Sequence, residues 1–177
     1  RWRTSASTDS VVRYGASPGN LDQSASHATP KTEHEIRLTG LAADTTYYYA
    51  VGSSSAVLAG GADYFFITAP LGARPTRLWV IGDSGTANAS AAAVRDAYAN
   101  FTGALHTDLW LMLGDNAYNS GTDAEYQNAV FNMYPALLRK SVVWPTLGNH
   151  DGIAASSGSQ SGPYYDIFTL PRQAEAR

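Results

Sequence analysis

The sequence predicts two unlike parts, an antiparallel β-sandwich over residues 1–70 and an α/β domain over residues 76–177. Three observations predict it. Residues 1–69 hold short alternating runs separated by turns at a spacing of roughly ten residues. A Pro/Gly segment, APLGARP at 69–75, then interrupts the pattern. Beyond it, continuous apolar runs alternate with helical ones, as the strands and crossover helices of a parallel sheet do.

In the first part, VVRYG (11–15) reads as a strand ending at the turn SPGN (17–20), where Pro and Gly set the dihedrals. EIRLTGL (35–41) alternates and reads as a strand. TYYYAVG (46–52) alternates too, with Tyr47, Tyr49 and Val51 on one face and Tyr48 on the other. Alternation of this kind favours core packing over a carbohydrate-binding platform. DYFFITAP (63–70) is a last strand, stopped by Pro70.

In the second part, RLWVIG (77–82), DLWLMLG (108–114) and SVVWPTLG (141–148) are apolar throughout and read as strands buried on both faces. Trp79, Trp110 and Trp144 would then be core residues. NASAAAVRDAYANF (88–101) is a helix with Asn88 as its N-cap. TDAEYQNAVFNMYPALLRK (122–140) is a second helix, opened by a Thr122-x-x-Glu125 capping box and divided by Pro135. GIAASSGSQSGP (152–163) is a Gly/Ser loop, and YYDIFTLP (164–171) reads as extended.

Composition excludes several functions. The chain has 177 residues, 44% hydrophobic, a net charge of −3 and no cysteine. There is no basic excess for nucleic acid, no apolar run long enough for a membrane span and no thiolate chemistry. The start, RWRTSASTDS, has no apolar signal-peptide core. Asn88-Ala-Ser90 and Asn100-Phe-Thr102 fit the glycosylation sequon, a triplet common by chance.

The three apolar runs end alike, in WVIGD, LMLGD and PTLGN, so the side chains at 83, 115 and 149 lie 32 and 34 residues apart. In a parallel sheet those corners share the carboxyl edge, where open α/β sheets bind ligands. One such corner alone is accounted for by a helix cap. Three together, followed by Tyr118 and His150, point to a functional cluster. Carboxylates and an amide are hard oxygen donors suited to di- or trivalent cations, and a shared carboxylate can bridge two of them.

Asp83-Ser84-Gly85, Gly114-Asp115-Asn116-Ala117-Tyr118 and Gly148-Asn149-His150-Asp151 resemble the first three motif blocks of calcineurin-like metallophosphoesterases. Within them the chain resembles purple acid phosphatases, which lack the histidine at position 85 and carry a tyrosine at position 118. Leu41-Ala-Ala-Asp-Thr-Thr-Tyr47 is similar to a fibronectin type III segment with a corner tyrosine. The fold implied is an incomplete fibronectin III-like β-sandwich followed by the N-terminal part of a metallophosphoesterase domain.

The resemblance implies roles. Asp83 binds Fe³⁺ and Asp115 bridges it to a second, divalent metal, Zn²⁺, Mn²⁺ or Fe²⁺. Tyr118 binds the ferric ion as phenolate and Asn149 binds the second metal. Asn149 and His150 contact the phosphate, His150 protonates the leaving alkoxide, and Asp151 orients that imidazole. The implied activity is hydrolysis of a phosphorylated small molecule, extracellular or periplasmic, without nucleic-acid or membrane partners. The alternatives are a metal-dependent phosphodiesterase or nucleotide pyrophosphatase, and a non-catalytic binding module. The family needs three further histidines. His27 and His34 lie in the β part and His106 lies at the opposite strand edge, so none supplies one. Trp2 would be the core tryptophan of the second sandwich strand, with the first strand missing. The expectation is therefore an internal fragment of a longer enzyme, inactive alone.

Overall fold

In the computed structural model, which describes residues 1–171, the chain divides into two units, Arg1–Pro75 and Thr76–Arg177. The first is an antiparallel β-sandwich-like sheet. Its strands are β1 (Trp2–Gly15), β2 (Gln23–His34), β3 (Thr46–Gly52) and β4 (Val57–Ile67), in the order β2-β1-β3-β4. The turn between β1 and β2 closes through the Asn20 amide on the Ser17 carbonyl, 3.1 Å. One face buries Val12, Tyr14 and Val51 under Trp2, Ile36, Leu38, Leu41, Tyr47 and Tyr49. Tyr47 and Tyr49 pack with Phe66, and Tyr48 pairs with Phe65, as alternation requires. The Ala42 amide donates to the Tyr47 hydroxyl, 3.1 Å, making the corner.

One expectation needs correcting here. Residues 35–41 are not a strand. Their apolar side chains do alternate onto the core, but a strand also needs a backbone ladder, and no described strand pairs with them. Trp2, at the start of β1, packs against the core of this unit and stacks on His34, with ring centroids 4.7 Å apart.

The second unit carries three parallel strands, β5 (Leu78–Ile81), β6 (Leu109–Met112) and β7 (Val142–Pro145), paired in that order. Helix α1 (Ala89–Thr102) starts at Asn88, whose side-chain oxygen accepts from the amides of Ser90 and Ala91, both 3.0 Å. After β6 come α2 (Asp123–Tyr126), a π-helical turn (Gln127–Phe131) and α3 (Pro135–Leu138). Pro135 does divide the predicted helix, and the π turn divides it again. Trp110 is fully buried, 5.4 Å from the Trp79 ring and 4.7 Å from that of Tyr134.

The strands are not buried on both faces. Trp79, Trp110 and Met112 point into the core with side chains of α1 and of the 123–138 segment. Leu78, Val80 and Val142 lie on the other face and are about half exposed, and Trp144 is 41% exposed, so it is not a core residue. A continuous apolar run states that both faces avoid water, not which elements cover them. Residues 164–171 are not extended throughout either. Pro163–Ile167 forms a short helix, α4, with proline at its first position and Tyr164 and Ile167 buried on one side.

Candidate metal centre

Each parallel strand runs out into a Gly-Asx corner, and the parallel pairing puts all three corners at one edge. The first two corners are laced by backbone. The Asp83 amide donates to the Gly114 carbonyl (3.1 Å), Gly85 to Asp115 (3.1 Å) and Tyr118 back to Gly85 (3.0 Å). Asp83 and Asp115 both adopt left-handed backbone, φ 53° and 52°, which aspartate tolerates better than most residues. Close approach makes two glycines necessary. A Cβ on Gly148 would sit 2.1 Å from the Asp115 nitrogen and one on Gly85 would sit 2.5 Å from the Ala117 nitrogen. The space a histidine at 85 would need is filled by the backbone of residues 116–117.

Three predicted ligands converge. The Tyr118 hydroxyl lies 2.8 Å from Asp83 Oδ1 and 3.0 Å from Asp115 Oδ2, donating between the two carboxylates. Partial burial, both hydrogen bonds and both negative charges push the phenol well above its ordinary pKa. Ionising it without a cation would place a third anion beside two others. The other Asp115 oxygen, Oδ1, accepts from the His150 amide, 3.1 Å. The His150 ring meets Tyr118 edge-on, centroids 4.5 Å apart, and its Nδ1 lies 2.6 Å from the Asn119 carbonyl. A carbonyl only accepts, so Nδ1 carries hydrogen and Nε2 is the nitrogen left for chemistry. Asn149 is exposed at the turn between β7 and the short helical turn Asp151–Ile153.

Asp151 is placed differently from the expectation that it orients the imidazole. It is fully buried. Its carboxylate accepts from the Tyr126 hydroxyl (2.6 Å), the Asn116 side-chain amide (2.9 Å) and the backbone amides of Gly148 (2.9 Å) and Asn116 (3.1 Å). It therefore ties the second corner to the third and to α2. Burial and this partner raise the Tyr126 hydroxyl's pKa far above the ordinary value. Sequence reasoning missed Asn116, Tyr126 and Asn119. Asn116 directly follows Asp115 and was the one legible signal; the other two have none.

The donor chemistry fits a hard cation among Asp83, Asp115 and Tyr118, since the phenol proton already holds two carboxylates where a cation would hold three oxygens. Among the described residues no group of three or more His, Cys, Asp or Glu side chains converges. His106 lies before β6, at the amino edge, where its carbonyl accepts from Arg77, 3.1 Å.

Two family models match the chain. Residues 1–68 match the purple acid phosphatase N-terminal domain, and residues 76–175 match the calcineurin-like phosphoesterase model. Purple acid phosphatase 22 of Arabidopsis thaliana is 26% identical over 152 residues, covering 81% of this chain and 32% of that protein. The chain thus spans about a third of the length of that relative. With a purple acid phosphatase-type sheet ahead of a parallel-sheet domain, the chain belongs to the calcineurin-like phosphoesterase family.

Proposed function

We propose that the protein works in hydrolysing phosphate monoesters at a dinuclear metal centre of the purple acid phosphatase kind. The observation that carries this is the pair Asp83 and Asp115 on one phenol, Tyr118. Asp83, Asp115 and Tyr118 would hold Fe³⁺. Asp115 would also hold a second, divalent ion, Zn²⁺, Mn²⁺ or Fe²⁺, together with Asn149. Bound there, the cations neutralise phosphate charge and lower the pKa of water toward neutrality. The chain's own residues do the rest. The Asp115 carboxylate, held by the His150 amide, keeps corners two and three in register. As the imidazolium, with Nδ1–H kept on the Asn119 carbonyl, His150 donates its Nε2–H to a phosphate oxygen and passes that proton to the departing alkoxide, returning to the Nδ1–H form. Asn149, exposed beside it, contributes its amide to the same phosphate.

The substrate is a phosphorylated small molecule. No helix among the described residues is long and apolar enough to cross a membrane. The likeness to the plant enzyme supports a place outside the cytoplasm. The ligand set within residues 1–171 is two carboxylates, a phenol and an amide, too few for two ions. The 177-residue chain alone is accordingly expected to be inactive. The test is a longer protein carrying this segment, assayed with p-nitrophenyl phosphate before and after chelation. Activity lost on chelation, and lost again in Asp115→Ala and His150→Ala, supports the reading. Activity that survives chelation sinks it.

A further inference from the structure

We propose that Glu125 is a positioning residue that sets the orientation and tautomer of His150 through the Asn119–Ser120 peptide. The inference rests on the reading of His150 as the proton carrier and names what aims it. The loop after Tyr118 reaches α2 through residues 119–122. Both oxygens of Glu125 are committed to that loop. Oε1 accepts from the Asn119 amide (2.6 Å). Oε2 accepts from the amides of Ser120 (3.1 Å) and Thr122 (2.8 Å) and from the Thr122 hydroxyl (2.9 Å). The Ser120 N–H and the Asn119 carbonyl belong to one planar peptide unit, so fixing the direction of one fixes the other. That carbonyl is the acceptor 2.6 Å from His150 Nδ1.

Two consequences follow from one carboxylate. The peptide plane is locked, so its carbonyl faces the imidazole in a single direction. The negative charge on the N–H side polarises the peptide and strengthens the carbonyl as an acceptor. Asn119 is exposed. Without Glu125 its peptide could turn toward water, and the ring could flip and exchange Nδ1 for Nε2. The same carboxylate forms the capping box of α2 with Thr122. A purely structural role would therefore be helix capping, and the test has to separate the two.

The measurement is the imidazole ¹H–¹⁵N correlation spectrum of the 177-residue chain at pH 8, with His150 identified by its loss in His150→Gln. The expected wild-type form is Nδ1–H. In Glu125→Ala the ratio of Nδ1–H to Nε2–H falls about five-fold, roughly the worth of one hydrogen bond. Thr122→Ala, which removes the cap hydroxyl but leaves the Asn119 and Ser120 amides on Glu125, keeps the wild-type form. An unchanged tautomer in folded Glu125→Ala overturns the proposal. So does an equal change in Thr122→Ala, or a wild type found as Nε2–H. Should Glu125→Ala not fold, Glu125→Gln replaces it, and a retained wild-type ratio there overturns the proposal. The readout needs neither metal nor turnover. Inactive or active His150→Ala enzyme would judge the phosphatase reading, and this spectrum judges the clamp.

Discussion

Tyr118 has one proton and two carboxylates to give it to. The side chain is poised to lose that proton only when a cation arrives to replace it. Adding Fe³⁺ to the purified chain is expected to produce a visible phenolate-to-iron absorption band. Tyr118→Phe is expected to abolish it, and a band that persists in the variant would assign the colour elsewhere. Asp151 has the opposite character. It is buried and already saturated by Tyr126, Asn116 and Gly148. Asp151→Ala strands those donors, and each buried unmade bond costs on the order of 1–3 kcal/mol. A loss of about 3 kcal/mol or more in urea unfolding of the second unit is expected. A change under about 1 kcal/mol would show that the network contributes little. The Asn-His-Asp run is legible in the sequence as three polar side chains. Which of them faces solvent and which the core is not, because adjacent residues in a tight turn point in different directions.

Among the elements, α2 is only Asp123–Tyr126, too short to stand on propensity. Its capping box and the buried Tyr126 hold it. Thr122→Ala removes the N-cap acceptor for Glu125 and is expected to cost about 1 kcal/mol, read as a lowered urea midpoint with an unchanged slope. The capping box was legible because it is a four-residue rule. The strands were legible as strands from their apolar runs, and their parallel order from the intervening helices. Their burial was not. Trp110 and Trp144 occupy similar runs, yet one is fully buried and the other 41% exposed. Only the placement of α1 and the 123–138 segment against one face separates them.

For the whole molecule, the two units should answer differently to acid. In the first, His34 is fully buried, stacked on Trp2, with Nδ1 2.8 Å from Ser10 Oγ and Nε2 2.8 Å from Thr4 Oγ1. The Thr4 hydroxyl donates to the Ala6 carbonyl, 2.7 Å, so it accepts from Nε2–H, and Ser10 donates to Nδ1. Burial, then Lys31, lowers the His34 pKa from 6.5, with Asp9 opposing. The unfolded chain therefore takes up this proton first. The stability from neutral His34 is full above about pH 7 and falls as pH drops below 6.5. Urea midpoints of residues 1–75 followed from pH 8 to pH 5 should decline in wild type and decline less in His34→Gln. Equal slopes would show that His34 does not set the acid response. In the second unit no such buried neutral histidine lies among the described residues. For activity, the 177-residue chain with added Fe³⁺ and Zn²⁺ is expected not to turn over p-nitrophenyl phosphate. Turnover abolished by chelator would refute the count of ligands.

The sequence by itself determined the strand–helix alternation of residues 77–148, the division at the proline-rich segment, the three Gly-Asx corners and the residue types they carry. These depend on periodicity and turn chemistry within a few residues, so one dimension contains them. Tertiary structure alone decided the rest. It put Tyr118 between Asp83 and Asp115, drew Asp151 inward to Tyr126, closed position 85 with the backbone of 116–117 and set the His150 ring on the Asn119 carbonyl. Most of these contacts join residues from separate strand ends, about thirty positions apart in sequence. Their geometry follows from the register and packing of a parallel sheet, which no local pattern encodes.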